Sequence, residues 1–458
     1  MARAGMAATG TTAGMATARI VARFTQARWI VPAIMTLALA LRLAIMLVLP
    51  QQPVSDSLWY LDRAADLVRG LGYQEKGHPT AFWPVGYPAL LAASQTAFGP
   101  SLLGPLLLNL AAAAATLALI LWFARHLGAG ELAARIAALL YALYPAHIVY
   151  AGQTASETTS TALAMAAFAL LIAGRRRAAL LVAAGLLFGA ATLMRAQLLL
   201  FPIGAIVAFM IVYRDVRWRD GLRAALLVHL ALAAVVAPWT WRNWRELGAF
   251  VPVSTNGGIA LYYGANDRTT GGWYAWERTP VWDQVVPIPY AQRVERQVEL
   301  DRHFKVAATR WIADHPGRWT ALGVRKVALL WLKDSDAFWG LHATYPARSG
   351  LWRAVQALNQ LFYLALLALA AAALWAAVRA RLRGPEARWP LLLLGCMPAF
   401  ATLTAFAFTG QIRYHYSAMP FLIVAAGWTL ARLLAPHPSA HGPLRGGVRR
   451  STSPTHLP

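Results

Sequence analysis

The feature that most constrains this chain is a series of about ten long apolar runs, spread from residue 29 to residue 434. About 20 apolar residues of helix cross a bilayer core, and only helices or closed barrels satisfy their own backbone groups there. The runs fall at about 29–49, 101–123, 132–150, 158–174, 178–194, 197–213, 224–241, 355–378, 389–408 and 417–434. They predict an all-α polytopic membrane protein, a bundle of about ten transmembrane helices. The stretch Pro84–Gly99 is apolar but short, with prolines at 84, 88 and 100, and reads as an interfacial helix rather than a span.

Composition agrees. Only 13% of residues are charged, against about 25% in soluble domains. The formal charge of +23 would suit a nucleic-acid binder, but the low charge density and the apolar runs argue against that, and against a disordered chain. Cys396 is the single cysteine, so there is no disulfide framework. The 19 tryptophans suit membrane interfaces, where an apolar ring carries one polar handle.

Lys and Arg in short loops set the orientation. With the N-terminus cytoplasmic, residues 1–28, 125–135, 174–177, 214–223, 379–388 and 432–458 fall inside and carry +17 of the +23. The reverse topology would export Arg175–Arg177 and the basic tail. The expected organisation is a basic cytoplasmic N-terminus (1–28), a transmembrane half (29–241) with a first outer loop (50–100), a large outer loop (242–353), C-terminal spans (354–434) and a disordered basic tail (435–458). Residues 1–28 resemble a targeting peptide, but the run that follows is too long for a signal core, so an uncleaved anchor is expected.

Polar groups that could do chemistry gather on the outer side. Asp56 lies just beyond the first span in Val54-Ser-Asp-Ser-Leu-Trp-Tyr60. Ser55 or Asp56 suits an N-cap, and the carboxylate also suits a general base at the membrane surface. Glu157 opens the fourth span, where Ser156 is expected to cap and the helix dipole favours an acid. A carboxylate at the rim of an apolar bundle usually has a task. Arg42, Arg195, Arg242 and Arg413 sit near outer helix ends; each can snorkel, and together they suit a phosphate. Tyr60 and Tyr414 belong to aromatic stretches that fit an interfacial belt or stack on a sugar or prenyl chain. Asn256 falls in Ser254–Asn266, which reads as turn-rich and partly extended, with glycines that allow close approach to a ligand. His147 reads as a packed helix histidine, and no histidine pair has metal-ligand spacing. Phosphate-loop, dinucleotide and serine-hydrolase motifs are absent from the sequence.

The order of these features resembles the polytopic C-type (GT-C) glycosyltransferases that use polyprenyl-phosphate sugars. They are Asp56, Trp59 and Tyr60 after the first span, Pro84-Val-Gly-Tyr-Pro88, Tyr144–Tyr150 leading to Glu157, Asn243-Trp-Arg with Ser254-Thr-Asn-Gly-Gly, and Arg413-Tyr-His. Aminoarabinose transferases of lipid A, protein O-mannosyltransferases and rhizobial core galacturonosyltransferases are the nearest in style. The resemblance covers roughly residues 29–434. It implies a GT-C bundle in the bacterial inner membrane, taking part in cell-envelope or lipopolysaccharide synthesis. The implied reaction is an inverting transfer, on the outer face, from a polyprenyl-phosphate sugar to a lipid, glycan or protein acceptor. Carried over, Asp56 is the base, Glu157 orients the acceptor or assists a metal, and Arg195, Arg242 and Arg413 face the leaving phosphate. Lys76 and His78 fall where the family's first loop contributes charged contacts. Ser57 follows Asp56 where some relatives have a second acid, so a metal-bridging role there is not expected. No particular cofactor follows from the resemblance, and a divalent metal is left open. A multi-pass transporter or flippase is the rival from another class; it would place charges near the midplane in two related halves, a pattern the sequence does not show.

Overall fold

The computed structural model describes residues 19–175, 177–213, 216–383 and 389–435. Residues 1–18 of the basic N-terminal segment, Arg176 of the arginine run and residues 436–458 of the tail lie outside the described residues. The helices that build the molecule are α1 (Ile30–Val48), α2 (Asp56–Val68), α3 (Gly86–Phe98), α4 (Leu103–His126), α5 (Glu131–Leu143), α6 (Ser156–Ala173), α7 (Ala178–Met194), α8 (Phe201–Val212), α9 (Trp218–Leu247), α10 (Gly257–Gly264), α11 (Gln297–Asp314), α12 (Pro316–Leu332), α13 (Ser349–Arg383), α14 (Cys396–Ala407) and α15 (Met419–Leu434). A two-residue hairpin of β1 (Gln74–Glu75) and β2 (His78–Pro79) is the sheet among the described residues.

Seven helical stretches are long and apolar enough to cross a membrane: Ile30–Val48, Leu103–His126, Ser156–Ala173, Trp218–Leu247, Pro346–Ala380, Pro390–Ala407 and Ile412–Leu434. Ala178–Met194 and Ala196–Val212 are apolar but shorter. The run expected to cross at 132–150 divides in two, because Pro145 has no N–H to continue the helical ladder. α5 ends at Leu143, Tyr144 is extended at ψ 110°, and a six-residue helix, Pro145–Tyr150, follows. The Pro84–Gly99 stretch forms the 13-residue α3, which packs on α2, α4 and α7.

The bundle closes around α15, most of whose residues are buried against α4, α5 and α13. α7 is clasped by α6 and α9. Outside the bundle, amphipathic α11 and α12 carry the second half of the large loop. Two features differ from the sequence reading. Ser254–Asn266 is largely helical, as α10, rather than turn-rich and extended. Its glycines serve close packing: a Cβ at Gly258 would meet the Asp301 carbonyl oxygen at 2.0 Å, and one at Gly264 the Phe408 carbonyl oxygen at 1.6 Å. Arg42 does not snorkel. It is fully buried in α1, where it donates to the Ala38 carbonyl at 3.0 Å and the Tyr141 carbonyl at 3.1 Å and lies 4.5 Å over the Tyr141 ring.

Candidate functional site

Helix ends and the loops between them enclose a cavity of about 510 Å³. Its walls come from the start of α2 (Asp56, Tyr60), the entry to α6 (Gln153, Glu157), the segment after α12 (Lys333, Asp336), the loop at Gly272–Trp273 and the Gly410–Arg413 stretch before α15. Residues distant in sequence therefore meet where several helices begin or end, and helix N-termini there favour anions.

Both carboxylates picked out from the sequence line this cavity, and each carries its own arginine. Arg413 Nη1 donates to Asp56 Oδ2 at 2.8 Å. Arg195 Nη1 lies 2.5 Å from Glu157 Oε1, in a pair almost wholly out of water. Arg195 also rests 5.9 Å over the ring of Tyr414. The expected N-caps are not formed. Ser55 and Ala155 hold the N-cap positions without a side-chain cap, so Asp56 and Ser156 are the first helical residues. The reason at Asp56 is backbone geometry: Ser55 sits at φ 51° and ψ −121°, a conformation that costs a non-glycine residue about 1–3 kcal/mol and tends to occur at functional sites. The strain turns the chain so that Asp56 enters the first turn with its carboxylate toward Arg413.

Tyr60 is buried, lines the cavity and packs edge-on against Trp59, Trp83 and Tyr87. Its phenol is held well above the ordinary value, chiefly by burial and then by the nearby Asp56 and Glu157. It stays a neutral hydrogen-bonding group.

The other candidates lie elsewhere. Arg242 is a strut of the first loop: its two terminal nitrogens donate to the carbonyls of Thr80 at 2.8 Å and Tyr73 at 2.5 Å. Lys76 turns the hairpin at φ 52° and is exposed, and His78 is in β2. Asn256 accepts from Ser254 at 2.9 Å beside α10. None of these four lines the cavity.

Two wall residues were missed from sequence, Lys333 and Asp336. They lie within the 25 charged residues of the large loop, and nothing in their spacing sets them apart. The available signal is Lys333-Asp-Ser-Asp336 directly after an amphipathic helix and before the next span. The same segment is pinned from behind. Asp334 is buried and takes hydrogen bonds from Tyr144 and, at 3.0 Å, from Asn359, while His415 Nε2 lies 3.2 Å from its other oxygen. Burial alone would raise the Asp334 carboxyl; the bonds from His415, Tyr144 and Asn359 hold it below the usual range. The far nitrogen of His415 faces the Leu330 carbonyl at 2.7 Å. Asp334 and His415 each stand two residues from a cavity side chain, Asp336 and Arg413, so this knot fixes two walls to each other. His147 is buried, as expected of a packed histidine, stacked between Tyr144 and Tyr416. Among the described residues no group of three or more His, Cys, Asp or Glu could hold a metal ion.

A polytopic helical bundle with a juxtamembrane layer and a charged cavity at the ends of its spans is, in fold, similar to solved GT-C-type membrane glycosyltransferases. The resemblance is borne out in three dimensions. The chain superposes on the oligosaccharyltransferase of Archaeoglobus fulgidus in its apo form with a TM-score of 0.55 at 11% identity, covering 89% of this chain and 51% of that one. The Archaeoglobus fulgidus oligosaccharyltransferase AglB in complex with an inhibitory peptide and a dolichol-phosphate gives a TM-score of 0.51 at 13% identity, covering 88% and 50%. ArnT from Cupriavidus metallidurans bound to undecaprenyl phosphate gives 0.45 at 15% identity, covering 88% and 78%. The chain thus spans about half the length of the archaeal oligosaccharyltransferases it matches. No family model and no curated protein matches it by sequence.

Proposed function

We propose that this chain is a membrane glycosyltransferase, moving a sugar from a polyprenyl-phosphate donor to an envelope acceptor on the outer face of the bacterial inner membrane, with inversion at the anomeric carbon. The observation that carries the reading is one cavity that gathers Asp56, Glu157 and Arg413 from three separate regions of a GT-C-type bundle. The dolichol-phosphate held by the Archaeoglobus fulgidus AglB complex supports a lipid-phosphate ligand for the same fold. The excess of cytoplasmic Lys and Arg supports the outward orientation.

The chemistry follows from the side chains. An acceptor hydroxyl attacks the anomeric carbon while the bond from that carbon to the phosphate oxygen breaks, and its electron pair leaves on the phosphate. The hydroxyl proton passes to a carboxylate, Asp56, whose Oδ1 is not engaged by Arg413. Glu157, clamped by Arg195, orients the acceptor. Arg413 lines the cavity, where its guanidinium, held by Asp56, can donate to the departing phosphate. A lipid-borne sugar brings its own leaving group, so no nucleotide site is needed.

Purified protein supplied with a polyprenyl-phosphate sugar and a membrane extract tests the reading. Wild type releases polyprenyl phosphate, and Asp56→Asn slows release by about 100-fold or more, the typical contribution of a general base. Equal turnover by the two sinks Asp56 as the base.

A further inference from the structure

The cavity wall contains three acids and two cations, with a third cation, Arg195, directly behind Glu157. Four of these six charges are spent on one another, in the Asp56–Arg413 and Glu157–Arg195 pairs. The remaining two are Lys333 and Asp336. They stand three residues apart on one short segment and both line the cavity. Among the described residues neither has an ion-pair partner within 4.0 Å, not even the other, and neither side chain makes a hydrogen bond. Asp336 is partly buried, and burial pushes its carboxyl up; Arg413 pulls it down and Glu157 pushes it further up. A carboxylate left without partner or full hydration is costly. It is tolerated where it faces a cavity in which its charge has work to do.

We propose that Lys333 and Asp336 together form a charge filter that accepts a lipid phosphodiester and expels the lipid phosphomonoester produced from it. The inference rests on the glycosyltransferase reading. A polyprenyl-phosphate sugar is a phosphodiester and carries one negative charge. The released polyprenyl phosphate is a monoester whose second ionisation lies near pH 6, so at pH 8 it carries close to two. One free cation matches the first ligand. A free carboxylate lining the same cavity penalises the added charge of the second. The Asp56–Arg413 and Glu157–Arg195 pairs contribute hydrogen-bond donors but little net charge to this balance, and Tyr60 and Tyr150 on the facing walls are neutral. The other charged groups nearby, Asp334 and His415, face each other behind the wall. Asp336 is thus a specificity group acting on product release rather than a proton carrier, and Lys333 is the anchor for the phosphate.

Binding of undecaprenyl phosphate and of undecaprenol to the purified full chain, at pH 5.5 and pH 8, tests this without an acceptor. Asp336→Asn should bind undecaprenyl phosphate about tenfold tighter than wild type at pH 8, with a smaller gain at pH 5.5, where the ligand is largely monoanionic. Lys333→Met should weaken binding about tenfold at both pH values, and Lys333→Arg should restore it. None of the three should alter undecaprenol binding. Asp336→Ala, which lacks the amide, must move affinity in the same direction as Asp336→Asn, which separates charge from shape. If neither Asp336 variant tightens binding at pH 8, the filter is overturned. If Lys333→Met binds as wild type does, Lys333 is not the anchor and the filter is likewise overturned. If wild type itself binds undecaprenyl phosphate no better than undecaprenol, it is the glycosyltransferase reading that fails.

Discussion

At the scale of single residues, the molecule places several ionisable groups where water is scarce, and how each is compensated separates structure from chemistry. Lys326 is fully buried on α12, with its ammonium near the last carbonyls of α14, Phe406 and Ala407, and no carboxylate partner among the described residues. Burial holds its pKa down to about 8. The unfolded chain, with an ordinary lysine near 10.4, binds more protons than the folded one between those values. Stability therefore rises as pH increases from about 8 to about 10.5. The melting temperature of wild type relative to Lys326→Met should climb over that window and stay level below it; a level difference throughout would show that the ammonium is not paying a burial cost. Sequence could not point to Lys326, since its neighbours Arg325 and Lys333 are exposed on the same stretch. By contrast Asp56 and Glu157 were legible, because an acid directly after a span is rare enough to mark itself. Arg242 is the opposite case: an arginine at a helix end is chemically fit for phosphate, and only the fold shows two of its nitrogens engaged by loop carbonyls, away from the cavity.

At the scale of elements, the apolar pattern located nearly every helix of the bundle, because lipid leaves the backbone no other way to satisfy its hydrogen bonds. It failed where local chemistry overrides hydropathy. Pro145 broke an apparent span, and the glycine-rich 254–266 segment folded as a helix because its flat face is wanted against Asp301 and Phe408. Helix–helix contacts in the bundle use the same device. A Cβ at Gly185 of α7 would stand 2.3 Å from the Val228 carbonyl oxygen of α9, so the two axes approach more closely than any side chain permits. Gly185→Ala should force them apart at a cost of about 1–3 kcal/mol, the usual penalty of overpacking. The expected readout is a lower melting temperature in detergent, and an unchanged one would show that α7 and α9 adjust without strain.

At the scale of the whole molecule, the division of charge between the two ends of the bundle predicts its orientation. With the single cysteine removed by Cys396→Ser, a thiol placed at Arg278 in the large loop should react with a membrane-impermeant maleimide in intact cells. One placed at Arg223, at the start of α9, should react only after the cells are opened. The reverse pattern would put the cavity on the cytoplasmic side and end the proposed outer-face transfer. Long-range assembly was the part least visible in sequence: that Asp334 meets His415, or that Asp336 shares a cavity with Asp56, depends on packing between segments about 80 and 280 residues apart. The same distance matters for Arg42. Its guanidinium lies within the first span, and a charged residue at the centre of an isolated helix opposes insertion by about 2.5–3.5 kcal/mol. The carbonyl and the ring that receive it belong to Tyr141, 99 positions later. Synthesis delivers the two in sequence, so the first helix must wait at the membrane, incompletely solvated, until the fifth arrives. The order in which the bundle is built is thereby written into one buried arginine.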